Sequence, residues 1–289
     1  MGMTFFLPCD HCDPSYKAIR DDDRGKEYKK DIEYLWKAYA PYADSHFLSD
    51  ARLHFQERFW EMYLGNTFLD NQFKISAGTS KGPEFYFDID GRKCWIEAIA
   101  PGPGNGPDAV PEMEHGKTIA NRVPSNEIIL RLRSAIFDKQ KAYLRSLEDG
   151  IIQENDLYVL AINSKRIRPC IGGDELPYIV KAVYPFGNLV AVFNKNTSQI
   201  VDTHHEYREK IKKSSGSVVD TDIFLKKEYS GIRGGIYSEV DAVNRPQKLG
   251  SDFRLVHNLM SKNPLPKGSF KFGVEYWVRN DELNFRSWE

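Results

Sequence analysis

The chain reads as an α/β (α+β) protein, and three kinds of stretch carry that expectation. The first is 82–100, where two runs rich in aromatic and β-branched residues flank Asp90-Gly91. That pair is the strongest short-range signal for a β-hairpin closed by a two-residue type I′ turn. The second is a pair of strongly helical patterns at 45–71 and 125–147. The third is Leu157-Tyr-Val-Leu-Ala-Ile162, a short apolar run that suits a strand buried on both faces.

Taking Asp90 and Gly91 as the turn fixes the hairpin register. Phe87 then faces Cys94, Tyr86 faces Trp95, Phe85 faces Ile96, and Glu84 faces Glu97. Alternation puts Phe85, Phe87, Cys94, Ile96 and Ala98 on one apolar face. The other face ends in two opposed carboxylates. At a Cβ spacing of about 5 Å and an effective dielectric near 20, two anions repel by roughly 3 kcal/mol. Such a pair calls for a neutraliser: a shared proton, a basic neighbour or a hard divalent cation. The plain alternative is a longer turn, another register and two solvated glutamates.

Composition narrows the class. With 289 residues, 41% hydrophobic and 28% charged, the chain has an ordinary globular make-up with room for one large core or two modest ones. A net charge of −1 supplies no global basic field, so any nucleic-acid binding must come from local patches. No apolar run approaches the ~18–20 residues of a membrane span, and the start lacks the charged and apolar regions of a signal peptide. Cytoplasmic residence without a membrane partner is the default expectation. Cys9-Asp-His-Cys12 invites a zinc site, but a single Cys-x-x-Cys without a second ligand pair is a weak signal.

Along the chain, 1–44 is expected as a helical, charged extension: a solvated stretch at 14–30, then a helix at 27–40 ended by Pro41. The remainder, 45–289, is expected to be one domain with a β-rich C-terminal elaboration. In 45–71, Leu53, Trp60 and Leu64 recur at helical spacing, beside Phe55, Phe59, Met62 and Phe68. Glu57 and Glu61 share a face, with Arg58 alongside, and the bland reading is a charged outer surface. The stretch 101–121 is a long loop, either a lid over Glu97 or a surface insertion. Ser125 is a candidate N-cap, and Ile128, Leu132, Ile136 and Tyr143 form the buried side of the next helix. Its other side is basic, including Arg131, Arg133, Lys139 and Lys141, and Lys165, Arg166 and Arg168 form a second basic cluster. Further on, 174–183 reads as a short helix, 189–193 and 199–201 as paired strands, 214–217 as a linker, and 232–237 and 253–257 as strands. Pro264 and Pro266 fall in a closing loop, and His204-His205-Glu206 reads as a surface cluster.

The order of helix with Glu, short strand 73–75, hairpin with Pro83-Glu84 then Glu97-x-x, and helix with a basic residue and Tyr resembles the PD-(D/E)XK nuclease superfamily. The likeness covers about 55–162. It implies a restriction-endonuclease-like mixed central sheet flanked by helices. Pro83-Glu84 falls at the Pro-Asp position, Glu97 at the Glu of Glu-x-Lys, and Glu61, twelve residues before Phe73, at the helix Glu. The third motif position departs from the pattern, being Ile99 rather than Lys. Some branches supply the missing Lys from the following helix, and Lys139 with Tyr143 four residues later has that spacing, with Lys141 as the fallback.

The resemblance implies metal-dependent hydrolysis of phosphodiester bonds, with Glu84, Glu97, Lys139 and Glu61 as catalytic residues. Mg²⁺ or Mn²⁺ would be held by Glu84, Glu97, the Ala98 backbone carbonyl and Glu61. Arg131, Arg133, Lys141, Lys165, Arg166 and Arg168 would contact phosphates. The implied partner is nucleic acid, DNA favoured over RNA, with the chain acting alone or as a homodimer. A catalytically inactive binding or scaffolding module is the rival expectation. The whole chain, including Trp95-Ile-Glu-Ala-Ile-Ala-Pro101 and Leu255-Val-His-Asn258, also resembles a group of uncharacterised bacterial proteins, a likeness that adds no chemistry.

Overall fold

A computed structural model describes residues 4–79, 81–111, 123–167 and 176–288. Four helices come first: α1 (Pro14–Asp21), α2 (Lys26–Tyr39), α3 (Phe47–Ala51) and α4 (Phe55–Asp70). The Asp13 side chain caps α1 by accepting from the Ser15 and Tyr16 N–H groups, with Pro14 in the first turn where its missing N–H costs nothing. Strands β1 (Ser76–Ala77), β2 (Phe85–Ile89) and β3 (Arg92–Ile99) follow. Then come α5 (Ser125–Glu148) and β4 (Leu157–Asn163). A later stretch adds α6 (Tyr178–Val183) and two small hairpins, β5 (Phe186–Phe193) with β6 (Ile200–Tyr207) and β7 (Lys210–Lys212) with β8 (Val218–Asp220). The chain then returns through β9 (Gly234–Ser238), β10 (Arg254–His257), β11 (Gly273–Arg279) and β12 (Glu282–Trp288).

The main sheet is mixed and eight-stranded, in the order β1-β2-β3-β4-β9-β10-β11-β12. Strands β3, β4 and β9 run parallel to one another, and β2 and β10 pair antiparallel at either side of that trio. Helix α5 is the crossover between the parallel strands β3 and β4. The hairpin has the expected register from Phe85–Ile96 to Ile89–Arg92. Asp90 (φ 52°) and Gly91 (φ 76°) both adopt the left-handed backbone of a type I′ turn. A Cβ on Gly91 would meet nothing within 4 Å, so its only penalty is backbone strain. Gly91→Ala is therefore expected to cost about 1 kcal/mol, read as a lower urea midpoint with an unchanged slope.

The sheet separates two apolar cores. On one face Phe85, Phe87, Cys94, Ile96, Val159, Ala161 and Ile236 pack against α2, α4 and the N-terminal segment. On the other, Trp95, Tyr158, Leu160, Ile162 and Tyr237 meet Ile128, Leu132, Ile136 and Tyr143 of α5, together with α6. Every residue of β4 is buried, as a strand covered on both sides requires. Helix α4 is buried on nearly all sides, with Phe59, Trp60 and Tyr63 inaccessible, so it is a central helix rather than an amphipathic outer one. Among the described residues no helix is long and apolar enough to cross a membrane.

Several expectations are corrected. Residues 4–44 are not an extension: Phe5, Phe6, Tyr16, Ile19 and Trp36 lie in the same core as Phe55 and Phe59, because their rings complete the cover over α4. Leu53 is 59% exposed, since the break between α3 and α4 resets the helical phase. The stretch 214–217 is the turn of the β7–β8 hairpin, pinned by the buried Ile211 opposite Val219. Strand β1 falls at Ser76–Ala77 rather than 73–75. Pro264 and Pro266 lie in a loop as expected, but the hairpin β11–β12 that follows it, turned at Asn280 and Asp281 with φ of 52° and 60°, was not expected. Pro124, not Ser125, occupies the N-cap of α5, and the Ser125 hydroxyl instead pairs with Tyr178 at 3.0 Å. Cys9 and Cys12 form a disulfide rather than half of a zinc site.

Candidate active site at the end of the hairpin

The β2–β3 pairing ends at Phe85–Ile96, and Glu84, in the bend just before β2, lies close enough to Glu97 for the two carboxyls to act on each other. Glu84 Oε2 accepts the Ala98 N–H at 3.0 Å, which draws its side chain along β3. Glu97 is 7% exposed and its carboxylate is taken by the Lys139 ammonium, in a hydrogen-bonded ion pair from α5 to β3. Lys139 reaches this point because Tyr143, one turn on, is buried against the Tyr158 ring at 4.9 Å between centroids, fixing the phase of α5. The Tyr158 hydroxyl is buried beside Glu97 without closing a hydrogen bond of standard geometry.

Glu61 enters from α4. Its Oε2 accepts from Arg58 Nη1 at 2.7 Å and its Oε1 from the Tyr39 hydroxyl at 2.9 Å. Arg58 also binds Asp44 at 3.0 Å and Asp50 at 2.5 Å, so one guanidinium holds three carboxylates. Glu61, Arg58, Glu84, Ala98 and Lys139 line a cleft of about 450 Å³, together with His54, Glu57 and Arg166. A second cleft of about 350 Å³, bounded by Tyr42, Thr79 and Pro83, shares Arg58, Glu61 and Glu84 as its wall.

The electrostatics follow from burial and crowding. Burial raises the Glu84 carboxyl well above its ordinary value, and Glu97 and Glu61 push it the same way, against Lys139 and the Ala98 N–H. Burial alone would lower the Lys139 ammonium, but Glu97, Glu84 and the hydrogen bond to Glu97 overcome it and leave the pKa raised. Burial raises Glu61 despite the opposing pull of Arg58. The Glu84 shift makes a stability prediction. A carboxyl whose folded pKa is raised binds more protons folded than unfolded, so its contribution falls as pH rises from the unfolded value, near 4.5, to the folded one. Glu84→Gln lacks that loss. Its stability relative to wild type is expected to grow by up to about 1.4 kcal/mol per pH unit from pH 5 upward and then level off. Metal-free urea unfolding at several pH values reads it.

The fate of each expected site residue is plain. Glu84, Glu97 and Lys139 converge. Glu61 lines the same cleft, but both of its oxygens are held by protein donors, which corrects its role as a direct metal ligand. Ala98 lines the cleft, and in an extended strand its carbonyl points to the same edge as the N–H given to Glu84. Arg133 is 6% exposed and donates to the Asp220 carbonyl at 2.6 Å, which corrects its assignment to phosphate contact. Arg131 donates to the Gly102 carbonyl at 2.9 Å and braces the loop after β3. Lys165 pairs with Asp241 at 2.7 Å, and Arg166 pairs with Glu57. Lys141 is exposed, its ammonium 4.1 Å from the Phe137 ring centroid. Arg168 lies outside the described residues, as does 112–122 of the long loop. Its first part is anchored: Val110 is buried, and Asp108 accepts from the Ser214 N–H at 2.8 Å.

Arg58, Tyr39 and Tyr158 join the site without having been singled out for it. The position of Arg58, three residues before Glu61 on one helix face, was the available signal. Among the described residues no group of three or more His, Cys, Asp and Glu side chains is arranged to hold a metal ion. A cation here would therefore rest on two carboxylates, with backbone and water oxygens completing its shell. In comparisons with known proteins, the chain matches no family model, no curated protein and no solved structure.

Proposed function

We propose that this chain is a metal-dependent nuclease of the PD-(D/E)XK kind, hydrolysing phosphodiester bonds in nucleic acid, with DNA favoured. The observation that carries the proposal is the meeting of Glu84, Glu97 and Lys139 at one end of the sheet, where Glu84 and Lys139 line the cleft and Glu97 is held just beneath it by Lys139. The hairpin, the crossover helix that bears the lysine and the parallel strand after it support the same reading.

The donors suit Mg²⁺ or Mn²⁺. Glu84 and Glu97 offer hard carboxylate oxygens, and the burial and neighbouring like charges that raise the Glu84 pKa are costs a cation would offset. When bound, such an ion polarises a phosphate and acidifies a water. Glu84, Glu97 and the Ala98 carbonyl would hold it. Glu84 and Glu97 would be its anionic ligands, each as the ionised carboxylate. Lys139, paired with Glu97 at this point, would orient the attacking water or neutralise charge on the phosphoryl oxygens. Arg58 and the Tyr39 hydroxyl hold the Glu61 carboxyl in place in the cleft wall. Lys141 and Arg166 are the basic side chains best exposed for phosphate contact, a contact that carries no sequence information.

The rival reading is an inactive binding or scaffolding module. Two features favour it: Ile99 stands where a lysine is expected, and several basic side chains are already committed to internal partners. One experiment separates the two. Supercoiled, linear and single-stranded DNA and RNA are incubated with the protein in Mg²⁺ or Mn²⁺, with and without chelator. The nuclease reading expects cleavage that the chelator abolishes. Salt-sensitive binding without cleavage would leave the module, and neither cleavage nor binding would remove both.

A further inference from the structure

The Cys9-Asp-His-Cys12 motif lies apart from the cleft residues and has no part in the chemistry above. Three observations bear on it. Both cysteines are partly exposed, whereas Cys94 is inaccessible. Arg20, in the last turn of α1, sets Nη1 3.1 Å from Cys9 Sγ and 3.7 Å from Cys12 Sγ, while its Nε and Nη2 hold Asp21. Cys12 immediately precedes Asp13, the N-cap of α1, so the pair sits at the positive end of that helix.

As a structural staple the bridge has little to do. Closing so short a loop removes little chain entropy from the unfolded state. The segment is already held: the Leu7 N–H donates to the Tyr16 hydroxyl at 2.7 Å, the Asp13 N–H donates to the Arg52 carbonyl at 2.7 Å, and the Phe5 and Phe6 rings are in the core. A guanidinium beside sulfur instead favours the thiolate, the species that exchanges.

We propose that Cys9 and Cys12 form a reversible dithiol–disulfide site, with Arg20 as its positioning cation, exchanging with low-molecular-weight thiols and their disulfides. An external thiolate attacks Cys12 Sγ and the bridge breaks, with Cys9 leaving as a thiolate against Arg20. A second external thiolate attacks the external sulfur of the mixed disulfide on Cys12. The external disulfide is released, Cys12 Sγ takes up a proton, and Cys9 Sγ stays a thiolate against Arg20. The external thiols lose two electrons and the protein pair gains two. Cys9 is the favoured leaving sulfur because Arg20 Nη1 lies closer to it.

The test equilibrates the full-length protein in a series of reduced and oxidised glutathione mixtures, then quenches with acid and alkylates. Mass spectrometry reads the peptide that contains Cys9 and Cys12. A two-electron transition inside the series is expected. Arg20→Met is expected to shift the equilibrium about tenfold toward the disulfide, or about 30 mV, while Arg20→Lys, which keeps a cation, stays near wild type. A pair that remains oxidised throughout is a static staple and overturns the proposal. So do thiols that persist in fully oxidised glutathione, a stoichiometric zinc ion on the reduced protein, or an Arg20→Met midpoint equal to wild type. If Arg20→Met does not fold, the wild-type titration and Arg20→Lys still decide.

Discussion

Glu97→Gln is expected to leave the protein folded and to lower metal-dependent cleavage by a factor on the order of 10³, equivalent to about 4 kcal/mol of transition-state stabilisation. The fold survives because the site can rearrange its charge. In wild type without metal, Lys139 is matched by Glu97, and Glu84 holds its proton above the usual carboxylate range. With an amide at 97, Glu84 loses its like-charged neighbour, ionises more readily and takes over Lys139. The pocket keeps one anion and one cation, yet would offer a divalent ion one hard anionic oxygen donor fewer. Parallel urea unfolding and cleavage assays with the two proteins check both halves. A Glu97→Gln protein that cleaves as wild type does would remove the site assigned here.

Lys139→Met is expected to do the opposite to stability. Removing the cation leaves Glu97 buried beside Glu84 with no positive partner, and breaking a buried pair of this kind costs about 3 kcal/mol at neutral pH. The figure belongs at the low end of its range because Lys139 is itself 30% exposed and the two carboxyls can share a proton. Cleavage should fall by a factor on the order of 10². Mn²⁺ offers a discriminating readout. In wild type it must compete with Lys139 for Glu97, and in the variant it does not. The rise in Tm on adding Mn²⁺ should therefore be larger for Lys139→Met than for wild type. Calorimetry with and without Mn²⁺ reads it, and equal rises would mean that no cation meets these carboxylates.

The part of the site that was legible in the sequence is the part governed by local rules. Asp90-Gly91 admits a turn with two positive φ values, and that turn alone fixes which side chain opposes which, from Ile89 and Arg92 to Phe85 and Ile96, with Glu84 entering from the bend that follows. The four-residue step from Lys139 to Tyr143 was equally informative, because helical phase carries the lysine to the sheet once the tyrosine is buried. What stayed hidden depends on distant partners. Nothing in the spacing of Arg131, Arg133 and Lys165 tells that the first two are spent on the Gly102 and Asp220 carbonyls and the third on Asp241. The N-terminal segment misled for the same reason: its lysines and aspartates mark a solvated surface, while Phe5, Phe6 and Tyr16 supply the core from underneath. The final hairpin, by contrast, was written locally. Asn280-Asp281, two residue types that tolerate positive φ, stands between Tyr276-Trp-Val278 and Leu283-Asn-Phe285, a weaker form of the Asp90-Gly91 signal because it lacks the glycine.

Trp60 Nε1 donates to the Ala161 carbonyl at 2.9 Å, and Gln56 Nε2 donates to Asn163 Oδ1 at 3.1 Å and to the Val240 carbonyl at 2.8 Å. These bonds clasp α4 to the C-terminal ends of β4 and β9. Glu61 and the strand ends beside Glu97 therefore belong to one cooperative unit of unfolding. In native-state deuterium exchange, amides of residues 59–64 and 158–162 should open together, at the slowest rate in the molecule, whatever happens in the β5–β6 arm.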